Sequence, residues 1–369
     1  MKPKNNKNKR HKHVPTTLLT VVRRGFQFVY AIFWNFFKPW HVPFKKSKWN
    51  EVQMKKMNNI MSRFYKRKQL MINDFENVDF FDFESTDGTK LSGITYSPNK
   101  DSDKWVISFH WFAGDKFFGL YHARFLTEMG YNVMSFDFRG HGQSENDTST
   151  MGVKESRDAI AAIEWLTKHK SPEQIVVLGT SMGAYVTNFL SFYYPSLPED
   201  YKVKFGIYDC GFGSVETLYM HFRNLYLRFI PKRLTKQAVN HLLDKSNKVD
   251  KKDGIDIHGG NVFKLIEQGD KPGYPIFFNH AKNDMVTPAF DTMQLVEARK
   301  DLIDGDEYNL YNYCMHTQAL RTHFKSYVNN VTKFVANKDN NQEQYQELVQ
   351  KWELDKITSK KDLNDERLS

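Results

Sequence analysis

The run Ile175-Val176-Val177-Leu178-Gly179-Thr180-Ser181-Met182-Gly183 constrains this chain more than any other stretch. Four continuous apolar residues, three of them β-branched, read as a strand buried on both faces, which belongs in a parallel sheet. Ala184, Val186 and Leu190 then begin a helical pattern. A serine between strand and helix, with glycine two positions before and two after, is the nucleophile-elbow pattern. The turn is so tight that only small neighbours fit. The helix N-terminus behind the serine favours negative charge developing beside it.

The rest of the body agrees with that reading. Strands are predicted near residues 77–84, 90–96, 104–110, 131–137, 174–180, 203–209, 275–280 and 308–313. The first two read as an antiparallel hairpin turned at Asp87-Gly88, and helical patterns separate most of the others. Strands alternating with helices give an α/β fold, a mostly parallel eight-stranded sheet flanked by helices. Residues 211–272 interrupt the alternation and read as an insertion between two strands. The body of alternating strands and helices is placed at 75–337. Residues 338–369 are polar and charged and are expected to form a solvated helix or a loose tail.

A serine nucleophile needs a base, and the base needs an acid to orient it. The chain order expected with such an elbow is serine, acid, histidine, each at the C-terminal end of a strand. Asp284 follows the strand ending at His280, and His316 follows the strand ending at Tyr313, so Ser181, Asp284 and His316 are the candidate catalytic residues. Asp209, which ends an earlier strand, is the rival acid, and His323 the rival base. The oxyanion hole requires two backbone N–H groups. Met182 is assigned as one donor and Phe112 as the other, with Trp111 as second choice for the latter. His110 and His141 are read as structural histidines ordering the loops around the site. Two cysteines, Cys210 and Cys314, make neither a disulfide framework nor a zinc site, and no cofactor is implied.

Taken together these residues resemble the α/β-hydrolase superfamily, in particular its bacterial membrane-anchored esterase- and lipase-like members. The resemblance covers about residues 75–337. It rests on the His110–Gly114 loop, the stretch Asp137-Phe138-Arg139-Gly140-His141-Gly142-Gln143-Ser144, and Thr150-Met151-Gly152 before Glu155 and Asp158. The elbow, Asp209-Cys210-Gly211, the Asp284 loop and His316 complete it. The sequence departs where such relatives usually read His-Gly-x-x-Gly, since Trp111 replaces the first glycine, which bears on the oxyanion hole. His280 is followed by Ala281 where many relatives have glycine. The resemblance implies that residues 211–272 form a cap over the site. Leu218, Phe222, Leu225 and Phe229, at helical spacing, either line an acyl pocket or pack the cap onto the body.

Charge is distributed unevenly. Residues 1–70 hold 18 Lys and Arg against one acid, Glu51, whereas the remainder carries a net charge of −7. Within this basic arm the longest uncharged run, residues 25–37, spans roughly 20 Å as a helix, short of the ~30 Å hydrocarbon core. On a helical wheel Arg23, Arg24, Gln27, Asn35 and Lys38 share one side, and Phe26, Val29, Ile32, Phe33, Phe36 and Phe37 the other. An amphipathic helix lying in the plane of an anionic membrane fits this pattern better than a span. Basic clusters on both flanks put both ends on the cytoplasmic face. The alternative is a helix packed on the chain's own body. Nucleic-acid binding is not expected, because the aromatics form a helical stripe and are not interleaved singly with basic residues. The expected activity is cleavage of carboxylic esters, small-molecule or lipid, through an acyl-enzyme. Peptidase, thioesterase or acyltransferase chemistry on the same residues, or a non-catalytic membrane-bound interaction module, are the alternatives.

Overall fold

All eight predicted strands form, each within three residues of its expected ends: β1 (Val78–Glu84), β2 (Lys90–Tyr96), β3 (Lys104–Phe109), β4 (Asn132–Asp137), β5 (Gln174–Thr180), β6 (Val203–Asp209), β7 (Ile276–Ala281) and β8 (Glu307–Tyr311). The structure is a computed structural model that describes residues 51–250 and 256–356. The strands make one sheet in the order β1-β2-β4-β3-β5-β6-β7-β8. β1 pairs antiparallel with β2, and β2 with β4. Every later pairing is parallel. This is the α/β-hydrolase fold.

The helices, in chain order, are α1 (Glu51–Tyr65), α2 (Lys116–Ala123), α3 (Glu155–Lys170), α4 (Met182–Tyr193), α5 (Leu197–Tyr201), α6 (Val215–Tyr226), α7 (Lys232–Asp250), α8 (Val262–Glu267), α9 (Ala289–Arg299), α10 (Ala319–Thr322), α11 (Phe324–Asp339) and α12 (Gln342–Trp352). They cover both faces of the sheet, as the buried strands require. Strand periodicity sorts β1's aromatics between the two faces. Phe80 lies toward Phe117 of α2, while Phe81 stacks on Trp165 of α3 at 3.7 Å between ring centroids. The residues of α6, α7 and α8 form the insertion between β6 and β7.

Two segments differ from the sequence expectation. Residues 51–70, grouped with the basic arm, pack on the body. Met54, Met57, Met61 and Tyr65 form one stripe of α1, and with Leu70 they are buried in the core that also holds α2 and α11. Each such side chain contributes about 1.5–3 kcal/mol of burial. The C-terminal segment is no solvated tail as far as residue 356. Tyr345, Leu348 and Trp352 of α12, followed by Leu354, are buried in the same core. Trp352 lies 5.6 Å from the ring of Phe324. Among the described residues no helix is long and apolar enough to cross a membrane. The amphipathic helix predicted over residues 23–38 lies outside the described residues.

Candidate active site

The elbow is built by close approach of backbone to backbone. A Cβ on Gly179 would stand 2.0 Å from the Gly183 carbonyl oxygen, and a Cβ on Gly183 2.2 Å from the Phe109 carbonyl oxygen. Only glycine fits at either position. Between them Ser181 adopts φ 55°, ψ −110°, a region that costs a non-glycine residue about 1–3 kcal/mol. Two hydrogen bonds hold it there. Ser181 N–H donates to the Asp209 carbonyl at 2.8 Å, and Tyr185 N–H donates to the Ser181 carbonyl at 3.0 Å. The serine side chain makes no capping bond to α4, so its hydroxyl is left for another partner.

That partner is His316. Its Nε2 lies 2.8 Å from Ser181 Oγ, and its Nδ1 lies 2.7 Å from Asp284 Oδ2. β7 and β8 are parallel neighbours, so the loops carrying Asp284 and His316 leave the same sheet edge as the elbow after β5. Asp284 is fixed on its other oxygen, where Val286 N–H and Thr287 N–H donate to Oδ1 at 2.7 and 3.1 Å. Burial alone would raise its pKa. The imidazoles of His316 and His280 beside it outweigh burial and hold the carboxyl well below the usual range. Asp284 therefore stays ionised and accepts a proton-bearing Nδ1, which leaves Nε2 as the acceptor toward Ser181.

The rivals sit elsewhere. His323 Nε2 donates to the Asn312 carbonyl at 2.6 Å. Asp209 Oδ2 lies 3.2 Å from His122 Nε2 and accepts from Tyr327 at 3.3 Å, beneath the elbow and away from His316. His122 in turn meets Tyr65 of α1 at 3.2 Å. His141 donates from Nδ1 to the Arg139 carbonyl at 2.9 Å. Arg139 itself is buried among Asp158, Asp87 and Asp147. The Asp137–Ser144 stretch is thus a structural brace.

The loop after β3 is pinned by His110, which donates from Nδ1 to the Trp111 carbonyl and accepts at Nε2 from Phe138 N–H at 3.0 Å. Burial and neighbouring His141 push His110 down to about 3, so it remains the neutral tautomer this bridge requires. Trp111, in the place of the expected glycine, turns its indole to Phe64 and Phe118, at 5.6 and 4.5 Å between centroids. The positive φ in this loop falls on Ala113 instead, at 66°. Phe112 stands edge-on to His141. Because β3 pairs with β5, this loop and Met182 at the first turn of α4 emerge side by side. The Met182 N–H is among those that helix geometry leaves without an intrahelical acceptor.

Sequence reasoning missed three contributors. Thr287 Oγ1 lies 3.1 Å from Asp284 Oδ2 and 3.3 Å from His316 Nδ1. His280 Nε2 is 3.5 Å from Asp284 Oδ2 and its Nδ1 is 2.7 Å from Thr292 Oγ1. His221 of the cap reaches the Asp284 carbonyl at 3.2 Å. Only Thr287 carried a signal, as the hydroxyl residue three positions after an acid at the start of a turn. Cys210, Asp284 and His316 place ligand atoms within 4.8 Å of one another. As a metal donor set they fit poorly, because burial keeps the Cys210 thiol protonated and the other two already bind each other.

A strained serine on an elbow, an imidazole bridging it to an ionised carboxylate, and helix-start amides nearby define a serine hydrolase of α/β-hydrolase fold. Comparison with known proteins agrees. A family model described as "Serine aminopeptidase, S33" matches residues 102–202. An uncharacterized Bacillus subtilis protein, YqkD, is 27% identical over 223 residues, which is 60% of this chain and 68% of YqkD. The lysophosphatidylserine lipase ABHD12 of Danio rerio is 34% identical over 65 residues, which is 18% of this chain and 16% of that protein. Among solved structures, an esterase of Pyrococcus furiosus superimposes with a TM-score of 0.55 at 20% identity, covering 80% of this chain and 98% of that one.

Proposed function

We infer that the protein is a carboxylic ester hydrolase working through an acyl-enzyme. The observation that carries this reading is the unbroken relay from Ser181 through His316 to Asp284, at 2.8 and 2.7 Å. Ser181 Oγ attacks the ester carbonyl carbon while His316 Nε2 takes its proton, and Asp284 stabilises the imidazolium. The amides of Met182 and Phe112 stabilise the oxyanion. His316 then protonates the departing alcohol, and water, activated by the same imidazole, releases the acid.

The family description favours a second reading, an aminopeptidase. Such an enzyme binds a free ammonium group, which calls for a carboxylate beside the site. The two cap acids that flank residues 217–243 are already partnered, Glu216 by Lys236 at 3.6 Å and Asp244 by His258 at 2.9 Å, and the stretch between them holds five Lys and Arg and no acid. That supports an uncharged acyl group as the occupant. A fluorophosphonate probe is expected to label the wild type and not Ser181→Ala. A parallel panel of p-nitrophenyl esters and aminoacyl p-nitroanilides separates the readings, and turnover of anilides alone would overturn the esterase. The basic arm supports attachment to the cytoplasmic face of an anionic membrane. A chain lacking residues 1–50 is expected to bind anionic vesicles more weakly while keeping ester turnover.

A further inference from the structure

The apolar stripe of the cap does not stay together. Leu218 is buried and Phe222 half-buried, but Leu225 is 42% exposed and Phe229 79% exposed. Phe229 lies past the end of α6, in the turn to α7, and Leu234 in the first turn of α7 is 55% exposed. Phe229 is the most exposed large hydrophobic residue among the described residues. One exposed aromatic would need no explanation, but three large apolar side chains exposed between residues 225 and 234 of one helical hairpin are a candidate interaction surface.

The turn is held in shape. Arg223 donates from Nε to the Ile230 carbonyl at 3.0 Å and from a terminal nitrogen to the Arg228 carbonyl at 3.0 Å. This clasp closes residues 227–230 and keeps Phe229 outside. Exposed cations surround the apolar tip: Arg228, Lys232, Arg233 and Lys236. Lys236 reaches Glu216 at 3.6 Å, whereas the other three meet no carboxylate among the described residues. Tyr226 anchors the base of the tip to the site by donating to the Met285 carbonyl at 3.2 Å, next to Asp284.

We propose that the cap tip, Leu225 to Lys236, is a docking surface for an anionic lipid bilayer. Charge decides the occupant. Exposed apolar side chains interspersed with four cations, three of them without a carboxylate partner, and no acid in the segment match an acyl boundary beneath anionic headgroups. A second copy would bring the same cations against each other. Each cation near such a surface adds about fivefold to binding. The inference stands apart from the ester chemistry, because docking requires no turnover.

The test uses the full chain carrying an environment-sensitive fluorophore at position 229 (Phe229→Cys), both native cysteines being buried. A control carries the label at Lys100→Cys, exposed in the β2–β3 turn at the opposite sheet edge. With phosphatidylglycerol vesicles the label at 229 is expected to shift to the blue and brighten. Neutral phosphatidylcholine vesicles should leave it unchanged, as should the position-100 control with either lipid. Adding Arg228→Gln, Lys232→Gln and Arg233→Gln should lower the docked-to-free ratio of the tip on the order of a hundredfold and abolish the signal. A silent label at 229 in protein that pellets with the vesicles would overturn the proposal and leave the basic arm as the sole anchor. So would a response to protein concentration alone, which indicates self-association, or to polyglutamate and not to vesicles, which indicates an acidic protein partner. Turnover of a water-soluble ester on the same samples reports separately on the catalytic reading.

Discussion

Replacing Asp284 by asparagine changes one atom and reverses the relay. Two backbone amides, of Val286 and Thr287, donate to Oδ1 at 2.7 and 3.1 Å. An asparagine must keep its carbonyl oxygen there, or face two donors with a third. Its amide group then points at His316 Nδ1, which has to accept. An imidazole accepting at Nδ1 carries its proton on Nε2, and Nε2–H aimed at Ser181 Oγ cannot take the serine's proton. The expected loss is about 10⁴-fold in kcat, or about 5 kcal/mol of barrier at ~1.36 kcal/mol per decade. The assay is steady-state p-nitrophenyl ester hydrolysis, with fluorophosphonate labelling rate as the check on Ser181 itself. Asp209→Asn is the control. It faces His122 and Tyr327, so it should reduce the yield of folded protein and not the labelling rate per folded molecule. A folded Asp284→Asn enzyme within tenfold of wild type would refute the relay.

Three further outcomes follow from the same geometry. The depressed pKa of Asp284 stabilises the folded state fully above its unfolded value of about 3.9 and progressively less as pH falls toward the folded value. Urea denaturation should therefore show a wild-type advantage over Asp284→Asn at pH 6 that narrows below about pH 4, and an advantage that grows on acidification would contradict this. Gly183→Ala places a Cβ 2.2 Å from the Phe109 carbonyl oxygen and 2.7 Å from its carbon. Backbone cannot swing aside as a side chain can, so a cost of about 1–3 kcal/mol or more is expected, with a lower Tm and slower probe labelling, and an unchanged Tm would refute the close approach. Arg139→Leu leaves Asp158 as a buried charge without its guanidinium partner 2.6 Å away, at about 3–5 kcal/mol in denaturant midpoint analysis. A loss under about 1 kcal/mol would mean that the brace is redundant.

The parts read correctly from sequence are those that the backbone itself dictates. Gly179 and Gly183 are required by close approach at the elbow, and the apolar runs of β3 to β7 admit only buried strands. Chain order then delivers Asp284 and His316 to one edge. What escaped reading depends on contacts between distant residues. The stripe of α12 is only three residues, Tyr345, Leu348 and Trp352, among glutamines and glutamates, and nothing local says that a surface waits for it. The consequence of Trp111 in place of glycine was not legible, because sequence does not reveal which way an indole turns. It packs outward on Phe64, and the loop transfers its positive φ to Ala113. The cap stripe was read as one face because helical spacing continues past Tyr226, where the helix itself stops.

The end of the basic arm is tied to the site through α1. Phe64 supports Trp111 in the loop after β3, and the next residue, Tyr65, reaches His122, whose other nitrogen meets Asp209 under the elbow. The last turn of α1 thus braces both sides of the site from behind. Removing residues 1–50 leaves that brace intact, and such a chain should fold and label. Removing residues 1–70 also strips Met54, Met57, Met61, Tyr65 and Leu70 from the core. At about 1.5–3 kcal/mol each, their burial rivals the 5–15 kcal/mol that holds a typical domain folded. The shorter chain is expected to aggregate, or to melt far below the longer one in a thermal scan. If it instead folds and reacts with the fluorophosphonate at the same rate, α1 is an appendage and the loop after β3 keeps its shape without Phe64.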